Sequence, residues 1–144
     1  MPDDREYHPR GLLHYPTYVF GKLHKSVHAE LGTPLREHWV LTYLAESGDI
    51  SQQEMAHALA IDRSEVVRLI DTMEKAGLVT RTRSAEDRRK NTVTITEAGR
   101  RRWTETDALI QEATAAQLFR LTPAERTELH RLSLKAIGWD LGEL

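Results

Sequence analysis

The sequence contains no cysteine. Disulfides, thiolate metal ligands and thiol-based oxidant sensing are therefore excluded. Aromatic residues make up only 6% of the chain, but 40% of it is apolar, enough for a core in one domain of 144 residues. There is no run of eighteen apolar residues and no secretory-leader pattern, so the expectation is a soluble cytoplasmic protein with no membrane partner. Catalytic signatures are missing as well: no GxSxG, no P-loop, no GxGxxG and no HExxH. The serines and histidines form no catalytic pattern, so neither an enzyme nor a cofactor is expected. Net positive charge is lacking too: the formal charge is −2. Averaged over the chain, that argues against a nucleic-acid partner.

The distribution of charge argues the other way. Between Arg63 and Arg102 stand eleven basic and six acidic residues, so a basic segment is set in an acidic remainder. That segment overlaps Ile50 to Gly99, the stretch around which the chain is organised. Ser51 is followed three residues on by Glu54, and Asp62 by Glu65, which predicts a capping box, or its Asp-capped variant, at each of two helix starts. The first helix runs from Gln52 to about Leu59, Ala60 and Ile61 turn the chain, and the second helix ends at Gly77. A short helix, a tight turn and a longer helix make a helix-turn-helix. On the second helix Val66, Leu69, Ile70 and Met73 share the core face. Ser64, Val67, Arg68 and Asp71 share the outer one, with Arg63 at the exposed start. Leu78–Arg83 and Thr92–Ile95 alternate as strands around the polar run SAEDRRKN, which forms a wing.

The run GLVTRTRSAEDRRKNTVTITEAG resembles the wing signature of the MarR family of winged helix-turn-helix transcription regulators. The matching pieces are the Gly-Leu-Val exit, Arg81, the Asp-x-Arg of Asp87 and Arg89, and the Thr-x-x-Gly of Thr96 and Gly99. The resemblance implies a mainly α protein with a small β wing (α+β), a winged helix-turn-helix joined to a helical dimerisation region. It also implies a double-stranded DNA partner and a homodimer, as a repressor released by a small ligand. The expected DNA contacts are Arg63, Ser64, Val67 and Arg68 on the recognition helix, with Arg81, Asp87, Arg88, Arg89 and Lys90 in the wing; for Arg81 and Arg83 the alternatives are bracing the strands or contacting phosphates. In this pattern Asp87 orients an arginine, Arg89 or its neighbour Arg88, into a minor groove. Val67 offers only apolar contact, as to a thymine methyl. Lacking cysteine, the chain cannot belong to the branch of the family that senses peroxides through a thiol.

Outside the winged segment the chain reads as helical. Met1–Arg10 is a polar arm. A helix from about Thr17 to Leu31 carries the stripe Val19, Phe20, Leu23, Val27 and Leu31. Thr33 and Pro34 open the next helix, which runs to Ser47. Trp39, Tyr43 and Leu44 give it bulk for packing under the recognition unit, and Asp49 and Ile50 extend the wing sheet. Glu97–Leu118 is a long helix capped by Thr96, with Trp103, Ile110, Ala113 and Gln117 spaced along it. Thr122, Pro123 and Glu125 cap a last helix bearing Leu129, Leu132, Ala136 and Ile137, followed by an apolar tail of Trp139, Leu141 and Leu144. The division expected is 1–32 for an arm and dimerisation helix, 33–100 for the DNA-binding lobe and 101–144 for further dimerisation helices.

Two alternatives belong to other classes. A winged helix can bind protein in place of DNA; the basic wing speaks for DNA. His24 and His28, four apart on one helix face, have a spacing that can chelate zinc. The long helix after the wing offers no histidine to complete such a site, so the favoured reading is ordinary surface or interface histidines and no metal. By the same resemblance, an effector pocket would be lined by His14, Tyr15, Tyr18, Arg36, Trp39 and Tyr43. Aromatic walls with one cation suit a small aromatic or anionic ligand.

Overall fold

A computed structural model of the chain describes residues 9–31, 35–83, 85–86, 91–140 and 142. After a 3₁₀ turn at Arg10–His14, the elements in order are α1 (Pro16–Leu31), α2 (Leu35–Ser47), β1 (Ile50–Ser51), α3 (Gln52–Ala58), α4 (Arg63–Lys75), β2 (Val79–Arg83), β3 (Asn91–Ile95), α5 (Glu97–Gln117) and α6 (Pro123–Ala136). The sheet is antiparallel with order β1-β3-β2. Ile50 pairs with Val93, and Val79 with Ile95. The fold is thus mainly helical with a small three-stranded sheet, as expected. The wing residues Asp87, Arg88, Arg89 and Lys90, the cap Thr33 with Pro34, and the tail residues Leu141 and Leu144 lie outside the described residues. No described helix is long and apolar enough to cross a membrane.

The helix signals operate as capping chemistry. Ser51 accepts from the Glu54 N–H at 3.1 Å while the Glu54 carboxylate accepts from the Ser51 N–H at 2.9 Å, a complete capping box at the start of α3. Thr122 and Glu125 repeat it at α6. Asp62 corrects the expectation of a second box in the winged segment. Its short side chain accepts from the N–H and hydroxyl of Ser64, and Glu65 is drawn instead to Arg36 on α2. The tight turn after α3 places Ala60 at φ 51°, a left-handed conformation that costs a non-glycine residue about 1–2 kcal/mol. The α4 exit uses a glycine for the same job. Gly77 has φ 74°, its N–H donates to Glu74 O, and Leu78 N–H donates to Met73 O. These are the two bonds of a Schellman motif, and Leu78 and Met73 are both buried beside it.

The chain divides into two compact units. Residues 28–110 form the winged unit. Its core gathers Val40, Leu41 and Leu44 from α2, Met55 from α3, Val66, Ile70 and Met73 from α4, and Ile50, Val79 and Val93 from the sheet. Each such side chain contributes about 1.5–3 kcal/mol by leaving water. Tyr43 and Trp103 pack at its edge, and the Trp103 ring N–H donates to the Thr42 hydroxyl at 3.0 Å. Trp39, expected to pack under the recognition unit, is 43% exposed and lies outside that core. Residues 1–27 with 111–144 form the other unit. Within it Arg126 Nη1 reaches back to Ala115 O at 3.3 Å. None of its described hydrophobic residues is buried, and Phe20, Phe119, Ile137 and Trp139 all stand more than half exposed.

Candidate nucleic-acid interface

The second helix of the motif, α4, buries one face and presents the other. Val66, Ile70 and Met73 are inaccessible to solvent, whereas Arg63, Ser64 and Arg68 are exposed and Val67 is 41% exposed. Four of the expected contact residues therefore share a free helix surface. Asp62 stands at its start. Hydrogen bonds from Ser64, aided by the positive charge of Arg68, hold its carboxyl below the usual carboxylate range, so it caps the helix as an anion. The hydroxyl of Thr72 is turned back onto Arg68 O at 3.0 Å.

Junctions on three sides fix how this helix is held. Near its start, Glu65 pairs with Arg36 of α2. Along its second half, Asp71 and Glu74 both engage Arg81 of β2. At its exit, the Thr96 hydroxyl donates to Gly77 O at 2.6 Å and accepts from the Gly99 N–H at 3.0 Å, and the Thr96 N–H donates to Leu78 O. Gly99 is needed for that approach, since a Cβ there would lie 2.1 Å from Leu78 O. The Thr-x-x-Gly pair therefore joins the end of α4 to the start of α5.

Trp39 and Tyr43, with Thr42, Glu46, Ala58 and Leu59, line a shallow cavity of about 350 Å³ in the winged unit. Arg36, expected as its cation, is instead paired with Glu65, and among the described residues the charged group lining the cavity is Glu46. His14, Tyr15 and Tyr18 belong to the other unit. Among the described residues, no three His, Asp or Glu side chains gather as metal ligands would.

Four residues take roles beyond those the sequence pattern assigns. Its spacing from Asp62 assigns Glu65 to a cap. Asp71 and Glu74 are an acidic pair one helical turn apart, beside a strand whose charges are basic, and that juxtaposition was the available signal. His38 is 3% exposed on α2. It lies three residues from Leu35 and from Leu41, on the buried stripe of its helix, so periodicity could have found it.

The model of the MarR family matches residues 31–90. A probable transcriptional regulator from Pseudomonas aeruginosa shares the fold at TM-score 0.74 and 22% identity, over 85% of this chain and 96% of that one. BpsR of Bordetella bronchiseptica, whose DNA binding is regulated by 6-hydroxynicotinic acid, aligns at TM-score 0.74 and 24% identity over 88% and 95%. A MarR-family transcriptional regulator from Rhodococcus sp. RHA1 aligns at TM-score 0.68 and 28% identity over 84% and 87%. With residues 31–90 matched by the MarR family model, and a fold shared along most of its length with solved transcriptional regulators, the chain is similar to the MarR family of winged-helix transcriptional regulators.

Proposed function

We propose that the protein is a sequence-specific DNA-binding repressor that works as a homodimer and is released by a small ligand. The observation that carries this reading is the exposed face of α4, where Arg63, Ser64, Val67 and Arg68 stand together on a helix buried along its opposite side. Such a face enters a major groove, where arginine reads guanine edges and valine meets a thymine methyl. Arg83 and the wing residues Asp87, Arg88, Arg89 and Lys90 would follow the adjoining backbone and minor groove. Two such helices related by a twofold axis would read a pseudo-palindrome with half-sites about 10 bp apart. The exposed apolar residues of the outer helices support the dimer, with 1–32 and 101–144 as its helices and 33–100 as the reading lobe. The ligand-regulated relative BpsR supports an effector. The aromatic cavity at Trp39 and Tyr43 is where we place it.

The test is binding to a random-sequence duplex, followed by fluorescence anisotropy across a salt series. The logarithm of the association constant should fall linearly with the logarithm of salt concentration. On a sequence selected from a random library, Arg68→Ala should weaken binding by about 1–3 kcal/mol and relax base preference at one position of each half-site. Duplex binding that is absent or indifferent to salt would refute the reading.

A further inference from the structure

Alternation along β2 puts Val79, Arg81 and Arg83 on one face of the strand, and their cross-strand partners Ile95, Val93 and Asn91 share it. Val79 and Val93 are buried in the core, so Arg81 starts from an inward-facing position, and its side chain is only 19% exposed. A cation at such a site is costly unless it is paired. Two carboxylates meet it, both from the recognition helix. Arg81 Nη2 donates to Asp71 and lies 3.4 Å from Glu74 Oε2, while the Arg81 backbone N–H donates to Glu74 Oε1 at 3.1 Å. One residue of the wing is thus tied to two successive turns of α4 through both its side chain and its main chain. Asp71 also follows Val67 and Arg68 along the outer side of α4, where its charge would oppose phosphate if left uncompensated.

The geometry points to Arg81 as a positioning residue: it braces the wing against the recognition helix and offsets part of the charge of Asp71 and Glu74, and it does not itself contact DNA. This rests on the DNA-binding function proposed above. A phosphate-binding arginine would have to leave both carboxylates behind, whereas a brace keeps them.

The experiment is a mutant cycle on the full-length protein. Arg81→Met is made in the native background and in an Asp71→Asn/Glu74→Gln background, and each protein is measured for duplex affinity across salt and for amide exchange in β2 and β3. In the native background Arg81→Met should lower affinity about tenfold, because the two carboxylates lose their partner. In the carboxylate-free background the same change should cost less than about threefold, since a residue acting through its partners shows its effect only when they are present. The salt slope should be the same with and without Arg81. An equal loss in both backgrounds, or a slope that falls by about one, overturns the proposal, because that is the signature of a direct phosphate contact. Amides of β2 and β3 should exchange faster in Arg81→Met than in wild type. If the wild-type protein shows no salt-dependent duplex binding, the proposed function fails, and exchange alone decides the brace: wild-type rates in Arg81→Met overturn it. If Arg81→Met does not fold, Arg81→Lys takes its place, because a point charge keeps the net charge of the site but cannot hold both carboxylates as the planar fork does.

Discussion

A single missing methyl group sets how closely the start of α5 approaches the chain that leaves α4. At position 99 a Cβ would press on the main chain at Leu78 and on Ile95 Cγ1 at 2.8 Å, and neither is the free end of a flexible side chain. Gly99→Ala is therefore expected to lower stability by about 1–3 kcal/mol, the usual cost of overpacking, as measured by urea denaturation. An unchanged midpoint would mean that α5 can tilt away at no cost. Arg81 shows the opposite kind of residue-scale constraint, a charge whose direction is set by strand periodicity. Its basic character suggested DNA, but period-two alternation from the buried Val79 already placed it on the inward face. The signal was in the sequence; the carboxylates that receive it were not evident, because they lie seven and ten residues away on another element.

At the scale of elements, α2 and α5 meet across a buried histidine. His38 Nε2 lies 3.9 Å from Asp107 Oδ1, and its Nδ1 has no hydrogen-bond partner among the described residues. Burial lowers its pKa below the ordinary histidine value, and Asp107 opposes that shift only in part. The folded state therefore takes up this proton at lower pH than the unfolded chain does. Its contribution to stability is fully present above about pH 6.5 and is lost as pH falls from there through the folded value. Thermal unfolding should show a lower melting temperature at pH 5.5 than at pH 7.5, and His38→Leu should flatten that difference. Equal slopes for the two proteins would show that other groups carry it. Helix boundaries were legible because each is written in local chemistry: Ser51 with Glu54, Gly77, Thr96, and Thr122 with Glu125. The pairing of Glu65 with Arg36 was not, because a capping pattern and a tertiary ion pair look alike until α2 is placed beside α4. The exposure of Trp39 was also hidden, since a large aromatic within an apolar helix reads as core whichever way it points.

At the scale of the molecule, the two units differ in how they satisfy their apolar surface. The winged unit closes a core of its own, whereas the unit of 1–27 and 111–144 leaves Phe20, Phe119, Leu132 and Ile137 exposed, the last at 73%. Exposed large apolar side chains of this kind support the dimer proposed above. Light scattering at micromolar concentration is expected to give about twice the 16.5 kDa chain mass. Replacing Phe20 and Ile137 by aspartate should shift the protein toward the monomer and weaken operator binding with it, because two half-sites would then be bound independently. A folded wild-type monomer at that concentration would contradict the dimer.

The bonds that Thr96 makes to Gly77 and Leu78 close the base of the β2–β3 hairpin like a clasp. Whatever lies between Arg83 and Asn91 is attached to a neck that is already shut. Extra residues inserted there are charged only the slow logarithmic cost of a longer loop, and the helices on either side should not feel them. The wing is in that sense an interchangeable cassette. Its length is expected to be open to change while the frame that carries it keeps its shape.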